Sequence, residues 1–420
     1  MSNQDKNEKL IAINAVQKKL LGKKLSYKEI YSIIDEISHE RLGDIITTYF
    51  AAGSFKEGYS THELYQFTKA MVETGNRLHF KGIVADKHSI GGVSGTRTTM
   101  ILVPIIASAG FKIPKISSRA ITTPAGTADV MEVLSNVSFL PSEVEDIVNT
   151  TGGCICWNGK LGIAPADDVI IQVEKPLSFE SFDKIIMSVM AKKIAVSTTH
   201  LVLDIPYGKT MKIHRYSDSE KVIRKFVSLG KKFGITVIGK PIHTIDPAGN
   251  GIGPVLEAID VLKVLEQDKE RPFELEKRAL SLTSDLLNMC YKSKQISKDG
   301  LKEATQILQS GEALQKFKEI ISAQGGNPDV NSHSIKKAKY STEILSTQSG
   351  IVGSIQNHNL HTIARILGAP KDKQAGIYLY KKTGDTVKNK EPLMKLFSSQ
   401  KYHLSEAQTT LQIIPVYTIN

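Results

Sequence analysis

Asp86-Lys-His-Ser-Ile-Gly-Gly-Val93, continued by Ser94-Gly-Thr-Arg-Thr-Thr99, is the densest stretch of chemistry in the chain, and its reading decides the fold. Gly82 to Ala85 reads as a short strand leading into a polar turn at Asp86-Lys87-His88-Ser89, and Thr98 to Ala109 reads as a helix. A strand that enters a glycine-rich turn and leaves as a helix aims backbone N–H groups and a positive helix end at one spot. Lys87 adds a point charge there, and Ser89 and Thr98 add hydroxyls, so the turn suits a phosphate. The plainer alternative is a tight βα turn with a solvated lysine. No Gly-Lys-Ser/Thr triplet closes the turn, so it is not a Walker loop.

Outward from this stretch the pattern repeats. Lys112 to Ser117 reads as a second strand and runs into Ser117-Ser-Arg-Ala-Ile-Thr-Thr-Pro-Ala-Gly-Thr-Ala-Asp-Val-Met-Glu132. This loop offers hydroxyls at Ser117, Ser118, Thr122, Thr123 and Thr127, and Gly126 permits close backbone approach. Asp129 and Glu132 fall in a first helical turn, where the dipole favours carboxylates, so a capping role stands beside a site role. Ser142 is expected to cap a helix that Gly152-Gly153 ends. Thr199–Ile205 and Ile235–Ile242 are β-rich and flank a helical Ser217–Phe233. Strands alternating with helices predict an open, largely parallel α/β sheet, with ligands at the carboxyl ends of its strands.

The first 80 residues carry no strand signal. Leu10–Leu21 is periodic, Ser26-Tyr-Lys-Glu29 and Ser60-Thr-His-Glu63 are capping boxes, and Asp44 can cap a short helix. Phe182–Ala195 is again helical, while Ser322–Ser341 reads as a linker before short strands at Gly350–Ile355, Ala375–Lys381 and Pro392–Phe397. The expected fold is α/β. A helical lobe spans 1–78 and is rejoined by about 166–196. An α/β lobe spans 79–165 and 197–335, and a C-terminal α+β domain spans 336–420.

Composition narrows the function. The 420 residues are 41% hydrophobic and 23% charged, a folding composition. The formal charge is +11, but 45 of the 54 basic residues are lysine and they are spread along the chain, which favours a solvated surface over a nucleic-acid groove. Cys154, Cys156 and Cys290 supply neither a paired framework nor a four-ligand zinc set, and the histidines do not cluster with carboxylates, so no metal is expected. The polar N-terminus has no apolar leader core, and the longest apolar run, Met100–Phe111, is broken by Pro104. A soluble, reducing, cytoplasmic setting without membrane or nucleic-acid partners is the expectation.

The two loops together are more specific. DKHSIGGV followed by SSRAITTPAGTADVMEVL resembles the thymidine/pyrimidine-nucleoside phosphorylase family, and within it the AMP phosphorylase branch. The likeness continues through Thr151-Gly-Gly-Cys154, Leu161 to Asp168, Ala191 to Ile194 and Asp204-Ile-Pro206, and covers nearly the whole chain. It implies a helical lobe and an α/β lobe that close on a substrate cleft, followed by a C-terminal α+β domain. It also implies a pentosyltransferase in which inorganic phosphate displaces a base from an anomeric carbon, with no cofactor.

By this resemblance the phosphate ligands are Lys87, Ser89, Thr98, Ser117 and Thr127. Nucleotide contacts fall on Gly92, Ser118, Arg119, Ala120, Ile121, Thr122, Thr123, Thr127, Ser188 and Lys212, and a base contact falls on Lys192. His88 lies near the base. Glu174 stands where the pyrimidine enzymes carry a base-contacting arginine, as in the AMP branch; a carboxylate cannot donate to a base carbonyl. This favours a nucleoside 5′-monophosphate such as AMP, or CMP or UMP, with ribose 1,5-bisphosphate as product. Glu180 stands where that branch has its proton-donating Asp and is expected to keep the role; the plainer alternative is a solvated residue at a helix start. The helical lobe begins near Met1, without the extra N-terminal domain of the archaeal enzymes, so a homodimer through residues such as Leu10, Ile11 and Leu20 is expected. The alternatives are a thymidine or pyrimidine nucleoside phosphorylase, a phosphoribosyltransferase of the anthranilate type, and a non-enzymatic nucleic-acid binder.

Overall fold

The computed structural model describes residues 3–120, 123–174 and 181–420, with the side chains of residues 3–6 and 54–57 left aside. Four helices come first: α1 (Asn3–Leu20), α2 (Tyr27–Ser38), α3 (Asp44–Glu57) and α4 (Thr61–Glu73). Both capping boxes form: Ser26 Oγ accepts from Glu29 N at 3.3 Å and Ser60 Oγ from Glu63 N at 3.2 Å, while each glutamate reaches back to its cap. Ile30, Ile33, Ile34 and Ile37 on α2 are fully buried.

The α/β lobe carries β1 (Ala85–Ser89), α5 (Thr98–Ser108), β2 (Ile113–Ser117), α6 (Thr127–Met131), α7 (Pro141–Thr151) and β3 (Gly153–Trp157). Then α8 (Pro165–Glu174) and α9 (Phe182–Ala195) return to the first helices, where Ile170, Met187, Ala191 and Ala195 share one apolar core with the isoleucines of α2. The chain re-enters the sheet with β4 (His200–Tyr207), α10 (Tyr216–Lys232) and β5 (Thr236–His243).

The strand order β5-β4-β1 is parallel throughout, and a parallel bridge from Val84 to Lys112 joins it to the parallel pair β2-β3. From β1 the chain winds to β2 and β3 on one side, and from β4 to β5 on the other. The neighbours β1 and β4 therefore form the switch point, outside whose carboxyl ends a ligand crevice opens.

Two expectations need correction. The first strand is Ala85–Ser89, not Gly82–Ala85: Asp86, Lys87, His88 and Ser89 pair in register with Leu201 to Asp204. The polar residues looked like a turn, but Asp86 and Lys87 are buried with internal partners, so polarity marks the site and not the end of the strand. The turn itself is the next run, with Gly92 at φ +68° and Gly95 at φ +64°. The helix after Glu132 starts at Pro141 with Leu140 as its cap, not Ser142, because proline fits the first helical position and Glu143 reaches back to Leu140 N at 2.6 Å.

Beyond β5 lie β6 (Gly251–Ile252), α11 (Pro254–Leu265), α12 (Phe273–Ser293), α13 (Gly300–Gln309) and α14 (Glu312–Ala323), packed around α5, whose run from Met100 to Ala107 is apolar and buried. The C-terminal module contains β7 (Tyr340–Leu345), β8 (Gly350–Ile355), α15 (Asn357–Ile366), β9 (Gly376–Leu379), β10 (Thr386–Val387), β11 (Pro392–Ser398), α16 (Lys401–Ile413) and β12 (Tyr417–Ile419). The irregular linker is narrower than expected, from the end of α14 to Tyr340. Strand β6 pairs with β9 in the order β6-β9-β11-β7, which knits the module to the α/β lobe. Among the described residues no helix is long and apolar enough to cross a membrane.

Candidate active site

A cleft of about 930 Å³ opens at the carboxyl ends of β1 and β4, between the two lobes, with α15 as a further wall. Its floor is a buried ionic network. Asp86 on β1 accepts from Lys193 Nζ at 2.7 Å and lies 3.8 Å from Lys115 Nζ. Asp204 on β4 accepts from Arg278 at 2.6 Å and from Ser89 Oγ at 2.9 Å, and lies 3.4 Å from Lys87 Nζ. Parallel pairing of β1 with β4 sets Ser89 directly beside Asp204. Among the described residues, Lys87, Lys115, Lys193 and Arg278 thus face two carboxylates, Asp86 and Asp204.

Such an excess of buried cations is costly unless an anion completes it. The titration behaviour agrees. Burial pushes Lys115 well below the usual lysine range, with the Lys193 charge as the next cause. Burial also lowers Lys87, with Asp204 opposing. Burial works against the Asp204 charge, but Arg278 and Lys87 outweigh it and hold its carboxyl below the usual range. His88, half-buried beside these groups, is pushed well below 6.5 by burial and by Lys193, Lys115, Lys87 and Lys192. It is therefore a neutral imidazole at neutral pH.

The hydroxyls are placed around this floor. Ser89, Ser117, Thr123 and Thr127 line the cleft. Thr98 is fully buried behind it, and its Oγ1 has no hydrogen-bond partner among the described residues; its neighbour Thr99 lines the cleft and lies 3.4 Å from Lys87 Nζ. Arg97, unassigned from sequence, pairs with Glu257, donates to Ala125 O, and reaches Thr127 Oγ1 at 3.4 Å.

The second loop is locked rather than catalytic at its carboxylates. Asp129 accepts from Ala120 N at 2.7 Å and Gly126 N at 2.9 Å, so the capping role holds for it. Glu132 binds Arg119 at 2.5 and 2.6 Å and Lys373 of the C-terminal module at 2.8 Å. Neither carboxylate lines the cleft, whereas Ser118 and Arg119 do. A Cβ on Gly126 would lie 2.6 Å from the Arg119 carbonyl carbon, which requires glycine there. Ile121 and Thr122 lie outside the described residues.

The opposite wall comes from α8 and α9. Asp167 accepts from Ser188 Oγ at 2.7 Å and from Lys192 Nζ at 2.6 Å. Burial opposes the Lys192 charge, and Asp167 and Asp168 more than offset it, so its pKa is raised. Glu174 forms an ion pair with Lys184, whose own pKa burial lowers to about 7. Gly92 and Lys212 adjoin each other at the cleft rim: a Cβ on Gly92 would meet Lys212 Cε at 3.3 Å. Glu180 lies outside the described residues.

Sequence reasoning missed Asp86, Arg97, Lys115, Asp167, Lys193, Asp204 and Arg278 as site residues. Asp86, Arg97, Asp167, Lys193 and Asp204 lie inside the motifs already quoted, and Lys115 interrupts the apolar Ile113-Pro-Lys-Ile116, which is a signal in itself. Arg278 carries none, being an ordinary cation on a long helix until α12 packs beneath β4.

Comparison with known proteins agrees with this geometry. The profile of the glycosyl transferase family a/b domain matches residues 81–314, that of the family's helical bundle domain matches 13–75, and that of the pyrimidine nucleoside phosphorylase C-terminal domain matches 351–414. AMP phosphorylase 1 of Archaeoglobus fulgidus is 39% identical over 397 residues, covering 94% of this chain and 78% of its own length. AMP phosphorylase of Methanococcus vannielii is 41% identical over 414 residues, covering 98% and 81%. Among solved structures, anthranilate phosphoribosyltransferase of Thermus thermophilus superposes with a TM-score of 0.61 at 16% identity, covering 74% of this chain and 99% of that one, a likeness of fold. The chain belongs to the glycosyl transferase family of these profiles, together with the AMP phosphorylases.

Proposed function

We propose that the protein is a phosphorylase that cleaves a nucleoside 5′-monophosphate, AMP first among them, to free base and ribose 1,5-bisphosphate. The observation that carries this is the buried cation excess at Lys87, Lys115, Lys193 and Arg278, facing the Asp167–Ser188–Lys192 array across one cleft.

The first group suits the attacking phosphate. Lys87, with the hydroxyls of Ser89, Ser117 and Thr127, holds it at the strand ends, while Thr98, expected from the sequence as a further ligand, lies buried behind the floor. A phosphate oxygen bonds to the anomeric carbon as the bond from that carbon to the base nitrogen breaks. The transition state is oxocarbenium-like, so an anion fixed beside the developing positive charge lowers the barrier by position and by electrostatics. The second group suits the base: Asp167 orients the Ser188 hydroxyl and the Lys192 ammonium. The leaving base takes a proton, for which Glu180 is the proposed donor; its carboxyl would need a pKa raised by partial burial. Neutral His88 acts as a hydrogen-bonding group near the sugar and base. No cofactor enters, because phosphate is itself the nucleophile.

A pyrimidine or thymidine nucleoside phosphorylase is the second candidate, but by the resemblance Glu174, here paired with Lys184, stands where those enzymes carry an arginine. A homodimer through the first helices fits the exposure of Leu10 and Leu20; Ile11 is half-buried and contributes less than expected. Three buried free cysteines suit a reducing, cytoplasmic setting. The deciding test is base release from AMP, CMP, UMP, thymidine and uridine in the presence of phosphate. Release from AMP supports the proposal, and release from thymidine alone overturns it.

A further inference from the structure

We propose that Lys382 of the C-terminal module is a positioning residue for the glycine turn of the phosphate site, acting through the loop between β5 and β6. This rests on the phosphate reading above, but Lys382 does not itself line the cleft.

The loop is Asp246-Pro-Ala-Gly-Asn-Gly251. Lys382 Nζ lies against it, donating to Pro247 O at 2.8 Å and to Gly249 O at 2.5 Å. An ammonium on two backbone carbonyls makes charge-assisted bonds, roughly twice as strong as neutral ones. The next residue grips the start of the loop: Thr383 N and Oγ1 donate to the two carboxylate oxygens of Asp246 at 2.8 and 2.7 Å. From the α/β lobe, Asp260 of α11 is buried and accepts from Asn250 N and Gly251 N, both at 2.7 Å. The loop is thus tied from both domains at once.

A further side of the loop lies on the glycine turn. Gly249 N donates to Gly95 O at 2.7 Å, and Ala248 N to Thr96 Oγ1 at 3.2 Å. A Cβ on Gly249 would lie 2.5 Å from Gly95 O and 2.6 Å from Asp260 Oδ2, so the two backbones touch with no side chain between them. Thr96 and Arg97 line the cleft, and Arg97 reaches Thr127 Oγ1. The module also holds the other end of the turn, because Asn357 Nδ2 donates to Gly92 O at 3.1 Å. The run from Gly92 to Arg97 is therefore gripped at both ends from a domain that supplies none of the cations of the floor. A binding turn keeps its geometry only as well as its supporting contacts do. Lys382 carries the shortest of those contacts on the loop, and its loss lets the loop, and the turn behind it, shift.

The test compares wild type with Lys382→Met, Lys382→Arg, Thr383→Val and Lys381→Met, in phosphorolysis of AMP with phosphate varied and in calorimetric binding of inorganic phosphate. Lys382→Met should lower kcat/KM for phosphate about 10- to 100-fold, as a small misplacement far from the chemistry implies, while the KM for AMP changes about twofold or less. Lys382→Arg should recover part of the loss. Thr383→Val removes one neutral hydrogen bond and should weaken phosphate about threefold, which keeps the proposal testable if Lys382→Met does not fold. Lys381→Met should leave phosphate unchanged, because that ammonium pairs with Glu391 and Thr386 O inside the module. Phosphate affinity decides the matter whichever base the protein releases. If Lys382→Met and Thr383→Val lower the melting temperature but keep wild-type phosphate constants, or if Lys381→Met loses as much as Lys382→Met, the positioning role is wrong and the phosphorylase proposal stands. If wild type neither binds phosphate nor cleaves AMP with it, both fall.

Discussion

The two walls of the cleft are built on different principles. On the α/β side, Lys87, Asp86 and Asp204 sit on adjacent parallel strands whose register is fixed residue by residue, and all three are buried. On the helical side, Ser188, Lys192 and Glu174 are partly exposed on two helices that pack on α2, α3 and α4. A phosphate site held by strand register and buried ion pairs is organised before any ligand arrives. The proposed base site on the other lobe is carried by helices and stays partly exposed. The strand wall should therefore fail by losing chemistry and stability together, and the helix wall by losing affinity.

The largest effect should come from the strand wall. Lys87→Met should lower kcat/KM for phosphate by roughly 10²–10³-fold, the range for removing one preorganised stabilising donor, with nucleotide affinity by calorimetry little changed. Next, Asp204→Asn strips Lys87, Arg278 and Ser89 of their shared carboxylate; breaking a buried pair in this way should cost about 3–5 kcal/mol in denaturant unfolding. A variant of unchanged stability would show that this wall is not held by its charges.

Asp167→Asn on the helix wall should be milder, raising the KM for the nucleotide by about tenfold as hydrogen bonds to charged groups are weakened, with the KM for phosphate unmoved. Equal loss in both constants would erase the distinction between the walls.

A pH series sharpens the same contrast. Lys115 and Lys87 have lowered pKa values, so they lose their protons at lower pH than ordinary lysines, and phosphate binding should weaken as pH rises. The KM for phosphate, measured upward from neutral pH, should climb, and Lys115→Met should flatten the climb.

The smallest effect concerns the joint with the C-terminal module. Arg119, then Lys373, hold Glu132 down to about 2 from 4.5, with burial opposing. Its stabilising contribution is complete above 4.5 and is lost as pH falls through about 2. Glu132→Gln should remove that part of the acid dependence of thermal unfolding.

Much of this was legible in the chain. Local signals gave the capping boxes at Ser26 and Ser60, the glycine-rich turn, and the alternation of strand and helix, because each rests on near neighbours. The first strand was misplaced because buried polar residues look like turn residues until their partners are known. The ionic floor was not legible as a unit: Asp86, Lys115, Lys193, Asp204 and Arg278 converge only when five separate elements pack. The α15 wall shows the same limit, since the spacing of Asn357, His361 and Arg365 is visible in the sequence but the cleft they line is made by other parts of the chain.

The central claim is the phosphate-dependent cleavage of a nucleoside monophosphate. Incubating the protein with AMP and inorganic phosphate, and separating the products, tests it most directly. The account predicts adenine and a pentose bisphosphate in equal amounts, none without phosphate, and little from thymidine or uridine. Base release from thymidine or uridine with AMP left intact would contradict it.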